Sequence, residues 1–451
     1  MRAVNPKNEE VIDEYDTLLD REVEQRVMQA REEYRDWRGT SFDRRAELMD
    51  RAADVLRENH QRYARLMTDE MGKPIEEARG EVEKCAWVCE YFAAEAEGFL
   101  EPTEIATDAS HSYVRYDPLG PILAIMPWNF PFWQVFRFAA PNLMAGNVGL
   151  LSHAPNVPGC GEAIEEVFEE AGFPAGCFQN LLISVDQTQE LIADERVRGV
   201  TLTGSTRAGS AVARAAGEAL KPTVLELGGS DPFIVLDDCD LAHTVEQAVG
   251  ARTLNSGQSC IAAKRFIVEE AIYDDFLAAF QEALAELTVG DPAEEATDLG
   301  PMAREDLRDD LHKQVAKSAS MGAERRLGGE VPDGEGFFYP PTLLTDVDEE
   351  MPVFQEETFG PVAAVIEARD ADHAIQLANR TVYGLGASVW TDNERGEGFV
   401  GRIEAGHVAV NGIVKSDPRL PFGGIKRSGY GRELARDGIL EFMNRKTVWV
   451  R

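Results

Sequence analysis

VRGVTLTGSTRAGSAVARAAGEALKPTVLELGG, residues 197–229, is the stretch that decides the fold. VRGVTLTG is a short apolar run rich in β-branched residues and reads as a buried strand. TRAGSAVARAAGEAL reads as a helix, opened by Gly204 and Ser205, and TVLELGG reads as the next strand. Strand, helix and strand in succession predict parallel pairing, with the crossover helix packed on one face. The alternation continues in both directions. Upstream, NVGLLSH (147–153) is a predicted strand, GEAIEEVFEEAG (161–172) a helix and CFQNLLI (177–183) a strand. After Gly229 a second block contains PFIVLDD, a helix from about Leu241 to Thr253, RFIVEE, and a long helix near Tyr273–Leu287. VAAVIEA, ASVWT and HVAVNG complete that block, and FMNRKTVWVR reads as a terminal strand. The first hundred residues are mostly helical in pattern, with Ser41 as an N-cap. SYVRYDPLGPILAIMPW is β-rich and broken by a turn at Pro118–Pro121. The predicted class is α/β: two parallel-sheet lobes with a cleft between them, where cofactors bind.

Composition narrows the function. A chain of 451 residues buries a large core, and 44% hydrophobic with 28% charged residues is ordinary for a globular protein. The net charge of −35 is not ordinary. Acidic pairs such as Glu32-Glu33 and Asp237-Asp238 are scattered as on a solvated surface, and only about ten of the bases are Lys. Such a surface suits a salt-rich medium, where screening relieves self-repulsion. It argues against nucleic acid as a partner. The six Cys form no CxxC pair and no His cluster accompanies them, so neither a disulfide framework nor a metal site is expected. Cys85 and Cys89 read as buried thiols on one helix face. Ile122–Leu151, the most apolar stretch, contains Arg137, Asn129, Asn142 and three prolines, and does not read as a membrane span. With no apolar leader in MRAVNPKNEEVIDEYDT, a cytoplasmic protein is expected.

Four positions have chemical potential, each with a plainer alternative. Cys260, in NSGQSCIAAKRF, follows a helix end and a small turn, where dipoles activate a thiolate; a lone Cys is otherwise a small core residue. Glu226 is a single carboxylate at an apolar strand end, so burial would make it a general base, or else a paired structural acid. Asn129 in MPWNFPFW is a stiffly held amide, suited to a developing oxyanion or simply to a turn. Gly204 and Ser205 open a helix whose N–H groups suit a phosphate, or form an ordinary junction. Gly396, Gly398 and Gly401 spell GxGxxG but follow the polar loop TDNER rather than a strand, so that match reads as accidental.

PWNFP, TGSTRAG, LELGG, GQSC, EETFGPV and PFGGIKRSG stand in the order found in the aldehyde dehydrogenase superfamily, which the chain resembles over its whole length. The resemblance implies that Cys260 is the nucleophile, Glu226 the base for deacylation, and Asn129 with the Cys260 N–H the oxyanion hole. It places Trp128, Ser152, His153, Gly204, Ser205, Leu227, Glu357 and Phe359 at an NAD or NADP site. PFWQVFR, LLSHAPNVPGC and VKSDPRLPFGG are similar to the succinate-semialdehyde dehydrogenase branch. There Arg137 matches an arginine that holds a distal carboxylate; a structural salt bridge is the alternative. Ser416 and Arg419 are further substrate candidates. Glutarate semialdehyde, a neutral aldehyde, or a non-catalytic nucleotide-binding role are the competing functions. A cysteine hydrolase would want a His base, and no His lies in a motif pointing to Cys260.

The sequence departs from the pattern of relatives at two places. Ser152 stands where many relatives have a Lys that contacts the adenosine ribose, and Pro155 where NAD-preferring relatives often have a Glu whose charge would repel a 2′-phosphate. NADP is therefore admitted, but the Lys that could grip its phosphate is also gone, so the choice between NAD and NADP stays open. His153 is the remaining basic side chain there, or else an exposed loop histidine. The resemblance also implies a cofactor domain from 1–100 and 119–228, a catalytic domain from 229–430, and an oligomerisation element from 101–118 and 431–451. A homodimer or homotetramer is expected from that element's strand edges.

Overall fold

The computed structural model describes residues 1–451. VRGVTLTG forms the strand Gly199–Thr203 and TVLE the strand Thr223–Glu226, paired in parallel across the Thr206–Glu218 helix. Ser205 caps that helix, its Oγ accepting the Ala208 N–H at 3.2 Å. Gly209 lets the helix lie directly on the sheet, because a Cβ there would sit 2.5 Å from a Leu227 methyl carbon. Four of the six strands of this sheet continue the pattern: Thr223–Glu226, Gly199–Thr203, Pro121–Met126 and Val148–His153 run parallel in that spatial order. Phe178–Asn180 extends one edge, a shorter strand than CFQNLLI suggested, and Gly429–Tyr430 closes the other in antiparallel pairing.

The Trp133–Ala145 helix is buried at every residue, which explains the long apolar stretch. It has 13 residues, and no helix of the chain is long and apolar enough to cross a membrane. Its first turn has no side-chain cap of its own; the Glu81 carboxylate accepts the Phe132 and Trp133 N–H groups, each at 2.9 Å, from a neighbouring helix. A largest core cluster of 72 residues joins these helices to the sheet.

The second sheet has seven strands, ordered Glu324–Leu327, Thr342–Thr345, Val362–Ala368, Ala263–Glu269, Asp231–Val235, Gly386–Trp390 and His407–Val410. Only the first of these pairs antiparallel. Met443–Val450 pairs with His111–Pro118, and the latter with Thr103–Glu104, in a separate antiparallel sheet. Residues 431–442 do not join it: Leu434, Ile439, Leu440 and Phe442 pack into the largest core cluster. Gly396 lies inside the Asn393–Val400 helix, against Val410, and opens no phosphate loop.

Candidate active site

Cys260 stands at the end of a loop that the chain enters with difficulty. After the Leu241–Thr253 helix, Asn255, Ser256 and Gly257 take φ of 56°, 54° and 75° in succession. Left-handed non-glycine residues cost about 1 kcal/mol or more each and persist only where the surroundings over-determine them. Here they do. Asn255 Nδ2 donates to Asn129 O at 2.7 Å and Gln258 O at 3.1 Å, while its N–H reaches Glu77 at 2.7 Å. Ser256 Oγ accepts the Gly300 N–H at 3.0 Å, and Gln258 Oε1 accepts the Ala303 N–H at 2.9 Å. Two buried cations hold the loop's carbonyls: Arg252 donates to Gly257 O at 2.7 Å, and Lys264 Nζ to Ser259, Cys260 and Ala262 O at 3.0, 2.7 and 3.0 Å.

Cys260 is half-buried and lines a cavity. Burial pushes it up to about 12, against the pull of Lys264 and then Arg137. At neutral pH it is a thiol, and a base must take its proton before it becomes a nucleophile. Glu226 is buried, and neither of its carboxylate oxygens has a hydrogen-bond partner. Burial first, and then the neighbouring Glu433 carboxylate, hold it well above the usual carboxylate range. Asn129, the third residue, donates from Nδ2 to Gln258 O at 3.0 Å and accepts from Gln134 at 3.2 Å. An amide nitrogen has two hydrogens, so one remains for an oxyanion.

The LELGG turn ties base, nucleophile and cofactor side together. A Cβ on Gly228 would lie 2.4 Å from Glu357 Oε2, and one on Gly229 would lie 2.7 Å from Cys260 O. Glu357 accepts the Gly229 N–H at 3.0 Å and is partly exposed. Trp128 and Phe359 meet edge to face, with ring centroids 5.7 Å apart. The Thr206 helix makes its first internal bond from the Gly209 N–H to Ser205 O, and Ser205 Oγ takes the Ala208 N–H, so the Thr206 and Arg207 N–H groups are available to an anion. These features fit a dinucleotide: a helix N-terminus for the pyrophosphate and a carboxylate for a ribose hydroxyl. At the end of the Val148–His153 strand, Ser152 Oγ lies 3.2 Å from Thr188 Oγ1, and no acidic residue lies in the 152–157 loop.

Two expectations are corrected, for His153 and Arg419. His153 is neither an exposed loop residue nor free to bind a phosphate. It is buried, its Nε2 bonds to Pro131 O at 2.9 Å, and its Nδ1 takes the Ala154 N–H at 2.9 Å. Burial pushes it down to about 4, so it is neutral at pH 7. Arg419 is exposed, binds Asp417 at 2.6 Å and lies over the Trp87 ring, outside the cavity that holds Cys260. Arg137 lines that cavity, yet its guanidinium also forms a buried ion pair with Glu433 at 2.5 Å. Ser416 lines the cavity as expected from the sequence reading.

Several side chains escape a reading by motif. Glu433, Lys264, Arg252 and Lys84 all stand at or around the site. Lys264 was open to detection, since a Lys entering the apolar strand Ala263–Glu269 needs a buried task. The others depend on contacts between distant segments. No group of three or more His, Cys, Asp or Glu is arranged to hold a metal ion.

The aldehyde dehydrogenase family profile matches residues 1–448, and the chain belongs to that family. It is 51% identical over 449 residues, 99% of each chain, to a "probable succinate-semialdehyde dehydrogenase (NADP+)" of Synechocystis. It is 50% identical over 452 residues, again 99% of each, to a succinate-semialdehyde dehydrogenase (NADP+) of Mycobacterium tuberculosis. The crystal structure of succinic semialdehyde dehydrogenase from Streptococcus pyogenes in complex with NADP+ superposes with a TM-score of 0.98 at 38% identity, covering 100% of this chain and 99% of that one.

Proposed function

We propose that the chain oxidises succinate semialdehyde to succinate with NADP, and with NAD as the less favoured acceptor. The observation that carries this reading is the cavity of about 330 Å³ that places Cys260 in one chamber with Arg137, Lys84 and Ser416. A nucleophilic thiol facing basic and hydroxyl groups suits an aldehyde with an acid at its far end. The names of the relatives agree in substrate and cofactor. Pro155, with no acid in its loop, leaves nothing to repel a 2′-phosphate.

The steps follow from the residues. Glu226 takes the Cys260 proton and passes it to solvent, and the sulfur adds to the aldehyde carbon. The carbonyl oxygen becomes an oxyanion held by Asn129 Nδ2 and the Cys260 N–H. When bound along Ser152, Gly204, Ser205, Leu227, Glu357, Phe359 and Trp128, the nicotinamide cofactor supplies the acceptor for the hydride that leaves this carbon. A thioester on Cys260 results. Glu226 then removes a proton from water as its oxygen adds to the thioester carbonyl; collapse expels the Cys260 sulfur and frees the acid.

We assign the six-stranded sheet and its helices to cofactor binding, the seven-stranded sheet to catalysis, and the three-stranded sheet to subunit contact. Trp449 and Val450, 50% and 46% exposed on that sheet's outer strand, support a dimer or tetramer. The six free cysteines accord with the cytoplasm, and the charge of −35 with a salt-rich one. The test is reduction of NADP and NAD by succinate semialdehyde in molar potassium chloride. Turnover absent in Cys260→Ala and weakened in Arg137→Ala supports the reading; a folded protein inert toward this and other aldehydes refutes it.

A further inference from the structure

We propose that Glu77 is a positioning residue for the oxyanion hole, acting through Asn255 to set Asn129 and the Cys260 loop against each other. The inference rests on the aldehyde oxidation read above and deepens it.

The two donors of the oxyanion hole come from distant segments. Asn129 follows the strand Pro121–Met126, and Cys260 ends the loop after the Leu241–Thr253 helix. One buried side chain joins them. Asn255 Nδ2 donates to Asn129 O at 2.7 Å and to Gln258 O at 3.1 Å. Asn129 Nδ2 donates to that same Gln258 oxygen at 3.0 Å. Asn255 therefore holds the Asn129 backbone and the carbonyl two residues before Cys260 at once. Its own backbone is anchored by Glu77: the Asn255 N–H donates to Glu77 Oε2 at 2.7 Å, from 178 positions away. Asn255 and Ser256 take φ of 56° and 54°, a conformation that a free loop would not keep. A short bond to a carboxyl oxygen at the first of these residues holds the turn where its side chain can reach Asn129.

The helix that carries Glu77 is built for this task. Ile75–Phe99 presents Glu77 and Glu81 one turn apart on one face. Glu81 accepts the Phe132 and Trp133 N–H groups, each at 2.9 Å, just after Asn129 in the chain. Glu77 accepts at the head of the Cys260 loop. Two carboxylates on one rigid helix thus brace the two halves of the hole, one each. Lys73 pairs with Glu81 rather than with Glu77. Beyond burial, the Cys260 proton responds to Lys264, Arg137, Glu357 and Glu226. Glu77 therefore acts on where the donors stand and not on the thiol. What the Asn255 N–H requires is an acceptor oxygen in this place, which an amide also supplies.

The experiment measures single-turnover hydride transfer from succinate semialdehyde to NADP at saturation. It compares the parent, Glu77→Met and Glu77→Gln, each also in an Asn129→Ala background, with alkylation of Cys260 by iodoacetamide in parallel. Glu77→Met should slow hydride transfer on the order of 100-fold, the loss that follows when oxyanion donors are misplaced. Glu77→Gln should stay within about fivefold of the parent, because its amide oxygen still accepts. In the Asn129→Ala background Glu77→Met should cost less than about 10-fold, since the donor it displaces is already gone. Alkylation forms no oxyanion, so its rate in Glu77→Met should stay within about threefold, which also reports an intact site. Glu77→Asp keeps the charge and falls one methylene short; it should behave as Glu77→Met does, and it replaces that variant if the latter does not fold. A parental rate in Glu77→Met, equal losses in the two backgrounds, alkylation slowed in step with hydride transfer, or a loss in Glu77→Gln as large as in Glu77→Met each overturns the assignment while leaving the dehydrogenase in place. A parent that reduces neither NADP nor NAD with any aldehyde overturns both.

Discussion

Glu433→Gln should move the acidic limb of deacylation toward lower pH without removing catalysis. Glu433 and Arg137 are both buried and are joined at 2.5 Å, and Glu226 shares their pocket with two unpartnered oxygens. Glu433 is the second cause, after burial, of the raised proton affinity of Glu226, while Arg137 opposes it. Neutralising Glu433 removes the repulsion and frees Arg137 to attract Glu226. A unit charge about 6 Å away, at an effective permittivity near 20, is worth about 3 kcal/mol, or about two pH units. Removing one member of a buried ion pair ordinarily costs about 3–5 kcal/mol, because the other charge is left stranded. Here Glu226 is at hand to ionise and take its place, so a stability loss nearer 2 kcal/mol is expected. The assay is single-turnover hydrolysis of the Cys260 thioester from pH 5 to 9, with Glu226→Gln as the variant that cannot deacylate. A limb that stays where it was, or moves to higher pH, would show that Glu226 is not coupled to Glu433 and that the argument is wrong.

Three further outcomes are expected. Lys264→Met removes the strongest pull on the Cys260 proton, so alkylation by iodoacetamide at pH 8 should slow on the order of 10-fold; an unchanged rate would mean the Lys264 charge does not reach the sulfur. Burial raises Glu77 to about 7, so the folded chain keeps a proton that the unfolded chain releases above the usual carboxylate range. Its contribution is thus full below about pH 4.5 and lost as pH rises to 7, a slope of up to about 3 kcal/mol that Glu77→Gln should flatten in urea titrations. With a net charge of −35, the thermal midpoint should climb by on the order of 10 °C between 0.1 and 2 M potassium chloride, as the screening length contracts from about 10 Å to 2–3 Å; a midpoint indifferent to salt would remove the case for a salt-rich home.

What was legible in the sequence was whatever a short segment decides by itself. The strand at 199–203 and the strand at 223–226 announce themselves by β-branched runs, and the helix between them by its cap at Ser205. Cys260, Glu226 and Asn129 were recognisable because each lies in a segment whose glycines, prolines or small residues serve the neighbouring backbone. The glycines of LELGG are a case in point: one makes room for Glu357 and the other for the carbonyl of Cys260. His153 was misread because its own segment is an ordinary strand end. Only the return of the chain at Pro131 closes over the ring and supplies the carbonyl that accepts its Nε2–H and makes it a buried strut.

The same reasoning explains why the charges of the site were the hardest part to foresee. A buried charge is specified by its partner, and the partners here come from far along the chain. Arg137 meets Glu433 across 296 positions and Lys84 meets Ser416 across 332. Arg137 fits a family pattern as a carboxylate receptor and serves equally well as a counter-ion; the segment around it is the same in either case. Glu433 is placed beside it when the chain returns to the first sheet at Gly429–Tyr430 and turns into the core. Once that pair is formed, the cavity wall still carries Lys84 and Lys415 without carboxylate partners, and neither is announced by its own segment. The charge pattern of the cavity is thus set by contacts between distant segments rather than by any one of them.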